Sequence, residues 1–309
     1  MASRGKVKSS HPGTPNDGRL SVKVRLLETG ENFSVTGCSQ RTEIGKLKEK
    51  LELVAGIPKK LQSLSYLDDG DMPDKSTLEF NGIIPGGKLS LRVWPYEGMS
   101  DLITFAATGD LLKLKTVGIT PDSSFNTANS LRFNAEQKKE WLASRAGLAL
   151  YVAAHRGHLH VMRFLLRNGC NVQWKTCLGN SGLHVAAAMG NFDCVNELLA
   201  NGARTQDTNE KGQTALDVSQ LWGQKKVARR LFLFFWEERT ANVKVKTHLD
   251  PSELFAHQRH DSKLKTWWKG SYATHYMANL TQFSDFHGSH FGATPKKAPV
   301  KRIQKKANA

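Results

Sequence analysis

Leu150-Tyr151-Val152-Ala153-Ala154-His155-Arg156-Gly157 is followed 33 residues later by Leu183-His184-Val185-Ala186-Ala187-Ala188-Met189-Gly190. Leu165-Leu166 recurs as Leu198-Leu199, and Gly169-Cys170 as Gly202-Ala203, at the same interval. One more step of 33 reaches Leu216, Gly223 and Leu231. Each part of the unit has a physical task. Paired alanines let two helices approach closely, the glycine ends the first helix, and the leucine pair on a second helix fills the layer against the next copy. Such a unit cannot bury its apolar face alone, so copies must stack.

This period and pattern resemble ankyrin repeats. A degenerate copy precedes them at Leu102-Ile103-Thr104-Phe105-Ala106-Ala107-Thr108-Gly109-Asp110-Leu111. The region 98–239 therefore reads as a degenerate first repeat, an insertion at about 120–145, and three further repeats. In the insertion, Asn134-Ala135-Glu136-Gln137 reads as a capping box that opens a short helix through Trp141 and Leu142. The last unit breaks the rule that a terminal repeat shows a polar outer face. Its Leu231-Phe232-Leu233-Phe234-Phe235-Trp236 is apolar on every side. The segment beyond it is expected to fold back over this end through Leu254, Phe255, Trp267 or Trp268.

Upstream lies a different pattern. Leu20-Ser21-Val22-Lys23-Val24-Arg25-Leu26 alternates apolar and polar, as a half-buried strand does. Glu28-Thr29-Gly30-Glu31 is a turn, and Phe33-Ser34-Val35 a returning strand. Thr42 is placed to cap a helix that runs to about Val54, with Ile44, Leu47, Leu51 and Val54 at helical spacing. Gly56 stops it and Pro58 prevents resumption. Leu64-Ser65-Tyr66-Leu67 is a short strand, Asp68-Asp69-Gly70-Asp71 a turn, and Leu89-Ser90-Leu91-Arg92-Val93-Trp94 a last strand. Strand, strand, helix, strand, strand is an α+β layout with the helix on one sheet face.

Residues 20–97 resemble ubiquitin in Ala55-Gly56-Ile57-Pro58, Leu61-Gln62-Ser63-Leu64-Ser65-Tyr66, Ser76-Thr77-Leu78 and the strand from Lys88 to Val93. The resemblance implies a β-grasp fold. Ubiquitin ends in two exposed glycines, whereas here the last strand runs into Trp94-Pro95-Tyr96-Glu97, so the domain is non-conjugating. The positions of ubiquitin's apolar receptor patch carry Ser65 and Arg92, with Glu28-Thr29 near its loop. Gly82-Ile83-Ile84-Pro85-Gly86-Gly87-Lys88 has the spacing of a phosphate-cradling loop. Leu89 follows where a Ser or Thr would hold magnesium, and a strand follows where a helix is needed. A ubiquitin-like domain joined to ankyrin repeats is similar to a small group of ankyrin-repeat and ubiquitin-domain proteins. That group implies interaction modules without catalysis.

The chain of 309 residues carries 44 Lys+Arg against 28 Asp+Glu. The excess is uneven: residues 1–19 hold four basic and one acidic, 20–97 eleven of each, 98–239 seventeen and twelve, and 240–309 twelve and four. Residues 1–19 read as a disordered N-terminus. Residues 240–309 form a basic, aromatic-rich and mostly irregular tail, partly helical from Asp250-Pro251 onward. No apolar run approaches the ~20 residues of a spanning helix, and no apolar leader opens the chain. Four scattered cysteines suit a reducing compartment. A cytoplasmic or nuclear protein is expected, neither secreted nor transmembrane.

No nucleophile, base and stabiliser can be placed together, so neither a catalytic site nor a cofactor is expected. His257-x-x-His260 and His287-x-x-His290 lack the Cys pairs of a closed zinc site, so no metal is expected. The expected function is a non-catalytic adaptor or scaffold, a monomer binding a protein partner through the ankyrin groove and finger loops. His155, Arg156, Trp174, Lys175, Met189, Asn209, Lys211 and Trp222 are the exposed candidates. One alternative is a structural protein anchored to an acidic polymer, microtubule or RNA, through the tail. Another is a ubiquitin-pathway adaptor. A chain truncated after Arg239 is expected to lose stability or to aggregate in thermal melts and sedimentation. A truncated chain as stable and monomeric as the whole would show that the tail does not cover the last unit.

Overall fold

The computed structural model describes residues 20–67 and 70–241. The N-terminal 19 residues, the turn residues Asp68 and Asp69, and the expected tail contacts Leu254, Phe255, Trp267 and Trp268 lie outside the described residues.

A four-stranded mixed sheet opens the fold, formed by β1 (Leu20–Leu26), β2 (Asn32–Cys38), β3 (Gln62–Ser65) and β4 (Lys88–Val93) in the order β2-β1-β4-β3. β1 pairs antiparallel with β2 through the expected hairpin and parallel with β4, while β3 pairs antiparallel with β4. The parallel pair requires a long crossover, which carries helix α1 (Ile44–Ala55). Alternation decides the faces. Val22, Val24, Leu26, Leu89, Leu91 and Val93 are buried under α1, and Lys23, Arg25, Lys88 and Arg92 are exposed.

Three details differ from expectation. β3 lies at Gln62–Ser65 instead of Leu64–Leu67, because Leu67 turns into the left-handed region at φ 51°. Helix α1 starts after Glu43, not after Thr42, because the Thr42 hydroxyl accepts the Ser39 N–H at 2.8 Å and closes the preceding turn instead. Its apolar stripe ends on buried Ala55, with Val54 only partly buried. Gly56 is the expected stop, in the left-handed region at φ 69°.

Four helix pairs follow: α2 (Met99–Thr108) with α3 (Leu111–Lys115), α4 (Ala135–Arg156) with α5 (Leu159–Arg167), α6 (Gly182–Met189) with α7 (Phe192–Ala200), and α8 (Ala215–Leu221) with α9 (Lys225–Ala241). The first helices stack in the order α2, α4, α6, α8. One side chain ties each pair to the one before. His158 Nε2 meets the Ala107 carbonyl at 2.7 Å, Asn191 Nδ2 donates to the Ala154 carbonyl at 2.8 Å, and Gln224 Nε2 donates to the Ala188 carbonyl at 3.2 Å. These three residues are themselves 33 apart, so the period sets the polar links as well as the apolar layers. The degenerate first unit joins the stack by the same link.

The insertion is organised differently from its sequence expectation. The Asn134–Gln137 capping box is present, but the helix that it opens does not end near Leu142. It continues for 22 residues and becomes the first helix of the next unit. No proline interrupts Ala143 to Leu150, and the one weak helix former, Gly147, is covered by the Trp174 ring, which occupies the space of any side chain there.

Arg145 explains what the insertion packs against. It is 1% exposed. Its guanidinium donates to the Val117 carbonyl at 2.9 and 2.7 Å and to the Glu97 carbonyl at 2.7 Å. It also lies 4.8 and 4.9 Å from the Phe125 and Trp141 ring centres. Burial lowers its pKa to about 10, opposed by the Glu97 carboxylate, so it stays charged at neutral pH. Glu97 holds the same cluster from the linker, accepting from Trp141 Nε1 at 3.0 Å and from Asn129 Nδ2 at 2.9 Å. Arg145→Ala leaves the buried Val117 carbonyl and the partly buried Glu97 carbonyl without this donor. It is expected to cost about 2–4 kcal/mol in urea unfolding.

Candidate functional site

The α4 and α6 units face the sheet domain across a polar seam, and Glu52 of α1 is its centre. By spacing, Lys48 and Glu52 would be an exposed i,i+4 ion pair on the outer side of α1. Both are buried instead, at 4% and 0% exposed, and they point to different partners. Lys48 Nζ pairs with Asp74 at 2.8 Å within the sheet domain. Glu52 Oε1 accepts from the Thr176 hydroxyl at 2.5 Å and from Asn180 Nδ2 at 2.8 Å, while Oε2 accepts from the Lys59 N–H at 2.8 Å. Burial pushes its carboxyl above the usual carboxylate range, and these three donors oppose that shift.

Thr176 and Asn180 belong to the loop between α5 and α6. This loop is shaped as a small hairpin: Lys175 bridges Ser181, and the Thr176 N–H donates to the Asn180 carbonyl at 3.0 Å. The next loop repeats the shape with a Thr208–Thr214 bridge. The two loops are joined side by side. Asn209 Nδ2 donates to Asn180 Oδ1 at 3.1 Å, and the Glu210 N–H to the Leu178 carbonyl at 3.0 Å. A chain of hydrogen bonds therefore runs from Glu52 through Asn180 to Asn209. His184 supports its base, with Nδ1 bonded to the Ser181 hydroxyl at 2.8 Å and Nε2 to the Gln213 carbonyl at 3.2 Å.

The end of α4 forms the second half of the seam. His155 Nε2 meets the Leu53 carbonyl at 3.0 Å, and the His155 ring lies where a Gly56 side chain would have to be. Gly56 is thus required twice, by its positive φ and by this contact. Arg156 donates to the Ala55 carbonyl at 3.2 Å, pairs with Glu31 at 2.6 Å and lies 5.4 Å from the Phe33 ring centre. Tyr151, fully buried, donates to the Glu52 carbonyl at 3.4 Å.

Residues 150–246 match the family model for ankyrin repeats, in three copies. The match covers α4 from Leu150 through α9. The loops that meet Glu52 are accordingly finger loops of ankyrin repeats. No curated protein matches the chain in a sequence comparison.

The expected partner-binding residues separate into two groups. His155 and Asn209 are buried, not exposed, and Arg156 is partly buried: all three are engaged within the chain. Tertiary packing places the sheet domain against His155 and Arg156, whereas Asn209 is held by the neighbouring finger loop. Lys175 and Lys211 are exposed, Lys175 with an ion pair to Asp207 at 2.9 Å. Met189 and Trp222 are partly buried, as is Trp174, which lies edge-on to Tyr151 with ring centres 6.2 Å apart. Glu52, Thr176 and Asn180 carry no local signal of their role, because Glu52 is 124 and 128 positions from the other two.

Among the described residues no group of three His, Cys, Asp or Glu side chains is placed to hold a metal ion. Burial pushes the Cys170 and Cys194 thiols up to about 12 and about 11, so neither supplies a thiolate at neutral pH.

His155 gives the seam a pH dependence of defined sign. Burial, reinforced by the Arg156 charge, pushes His155 down to about 3 from an ordinary 6.5. The folded chain therefore keeps this ring neutral where the unfolded chain protonates it. Stability from His155 is complete above about pH 6.5 and is lost as pH falls toward about 3. Glu52 acts in the opposite sense, since a raised carboxyl favours the folded chain less as pH rises above 4.5. Urea unfolding between pH 7.5 and 5 is expected to show stability falling with acidity. In His155→Gln that slope is expected to be shallower by about one proton.

Proposed function

We propose that this protein is a non-catalytic protein-interaction adaptor whose ankyrin repeats hold a ubiquitin-like domain as an intramolecular ligand. The observation that carries this reading is the Glu52 carboxyl, buried between α1 and the finger loop at Thr176 and Asn180. A β-grasp identity for residues 20–97 is supported by the sheet order β2-β1-β4-β3, the parallel central pair and the helix between the second and third strands. The two-module layout resembles the group that includes ankyrin repeat domain-containing protein 60.

In this reading the finger loops have two sides. The side toward α1 is used in cis. The outer side, with Lys175, Lys211, the loop residue Trp174 and the helix ends at Met189 and Trp222, is offered to a protein partner. Ankyrin repeats are general protein-binding modules, and a partly buried Trp beside exposed lysines has the composition of an anchor with a polar rim. The chain acts in the cytoplasm or nucleus as a scaffold and holds no cofactor.

Proximity labelling with the full chain as bait tests this. Lys211→Glu combined with Trp222→Ala is expected to reduce partner enrichment about tenfold or more. Glu52→Ala, which opens the seam, is expected to change the set of partners by freeing the inner side of the loops. An unchanged set in both variants would remove the repeats from partner binding.

A further inference from the structure

The sheet domain has a second surface, opposite α1, that the seam does not use. From edge to edge it presents Asn32 and Ser34 on β2, Lys23 and Arg25 on β1, Lys88 and Arg92 on β4, and Ser63 and Ser65 on β3. Lys23, Arg25, Lys88 and Arg92 are all exposed, and none of the four makes an ion pair among the described residues. We propose that this open face of the sheet is a docking surface for an extended, acidic segment of a partner protein.

Charge segregation is the first argument. Residues 20–97 contain equal numbers of acidic and basic residues, yet this face is uniformly positive. The acids are used elsewhere. Glu52 faces the finger loop, Asp71 and Asp74 face Lys48, Glu49 faces Lys59, Glu31 faces Arg156, and Glu28 accepts the Val93 N–H at 2.6 Å.

Register is the second argument. Lys23 and Lys88 are direct partners across the parallel β1–β4 pair. Like charges facing each other on adjacent strands destabilise a sheet. A folding optimum would place a carboxylate opposite one of them, and the hydroxyl and amide neighbours Ser34 and Asn32 supply none. The two-residue step from Lys23 to Arg25 is about 6.6–6.8 Å along the strand. An extended peptide with acidic residues at alternate positions has the same repeat.

The occupant comes from another protein. The two terminal segments outside the described residues are themselves basic, with four basic to one acidic in residues 1–19 and twelve to four in 242–309, and Asp68-Asp69 is only two residues long. A nucleic-acid strand fits less well. Single-strand binding needs aromatic rings between the cations on which bases stack, and the residue between Lys88 and Arg92 on this face, opposite Arg25, is Ser90.

The test uses the full chain and a fluorescein-labelled ten-residue peptide of alternating Glu and Thr, read by fluorescence anisotropy. Binding is expected to weaken steeply as salt is raised. Arg25→Glu with Arg92→Glu is expected to weaken it about tenfold or more, with the thermal midpoint reporting that the chain stays folded. Lys23→Thr is expected to weaken binding severalfold while leaving the thermal midpoint unchanged or higher, because it removes the Lys23–Lys88 repulsion. An affinity unaltered by the double reversal would assign the peptide to the basic tail and overturn the proposal. Tighter binding of a single-stranded oligonucleotide of equal charge, lost in the same double variant, would overturn it in favour of nucleic acid.

Discussion

A carboxyl group removed from water at Glu52 is the constraint on which the joining of the two modules depends. Its burial is costly unless every lone pair that faces protein is matched. Thr176, Asn180 and the Lys59 N–H supply that match from two different parts of the chain. The interaction can be complete in only one relative placement of α1 and the finger loop. An apolar contact would tolerate sliding, whereas this one does not, and losing any one partner strands a buried polar atom.

Arg145 plays the same role at the other end of the seam. A guanidinium beside the stacked Phe125 and Trp141 rings, donating to carbonyls of residues 97 and 117, ties the linker after β4 to the long helix α4. Beside these anchors, Tyr151, His155 and the charged Arg156 all bond to carbonyls in the last turn of α1. The seam is thus directional rather than greasy. It fixes orientation more than it adds stability, as buried polar pairs do in several systems.

The consequence for function is a division of surfaces. Part of what an ankyrin array would offer to a partner, His155, Arg156 and Asn209 among it, is taken up within the chain. What stays open is the outer side of the fingers with Lys175 and Lys211, and the basic face of the sheet, turned away from α1. The fixed seam holds these two surfaces in one geometry.

The residues themselves disclose the elements. A period of 33, alanine pairs and glycine stops determine the helix pairs. Alternation from Leu20 to Leu26 and from Leu89 to Trp94 determines the strands, and Asn134 with Gln137 determines where α4 begins. These are local signals, because burial of one face imprints a period on the sequence that buries it. The site is not legible in that way. Nothing near Glu52 marks it as different from the solvent-facing half of an i,i+4 pair, and His155 and Asn209 read as open loop-side residues until the sheet domain and the neighbouring finger are in place. The length of α4 and the meeting of Lys23 with Lys88 likewise arise from chain segments far apart in sequence. The sequence alone determined which apolar faces are buried within each element. Only the tertiary structure decided which polar groups meet across them, since a hydrogen-bond partner over 100 residues away leaves no local period.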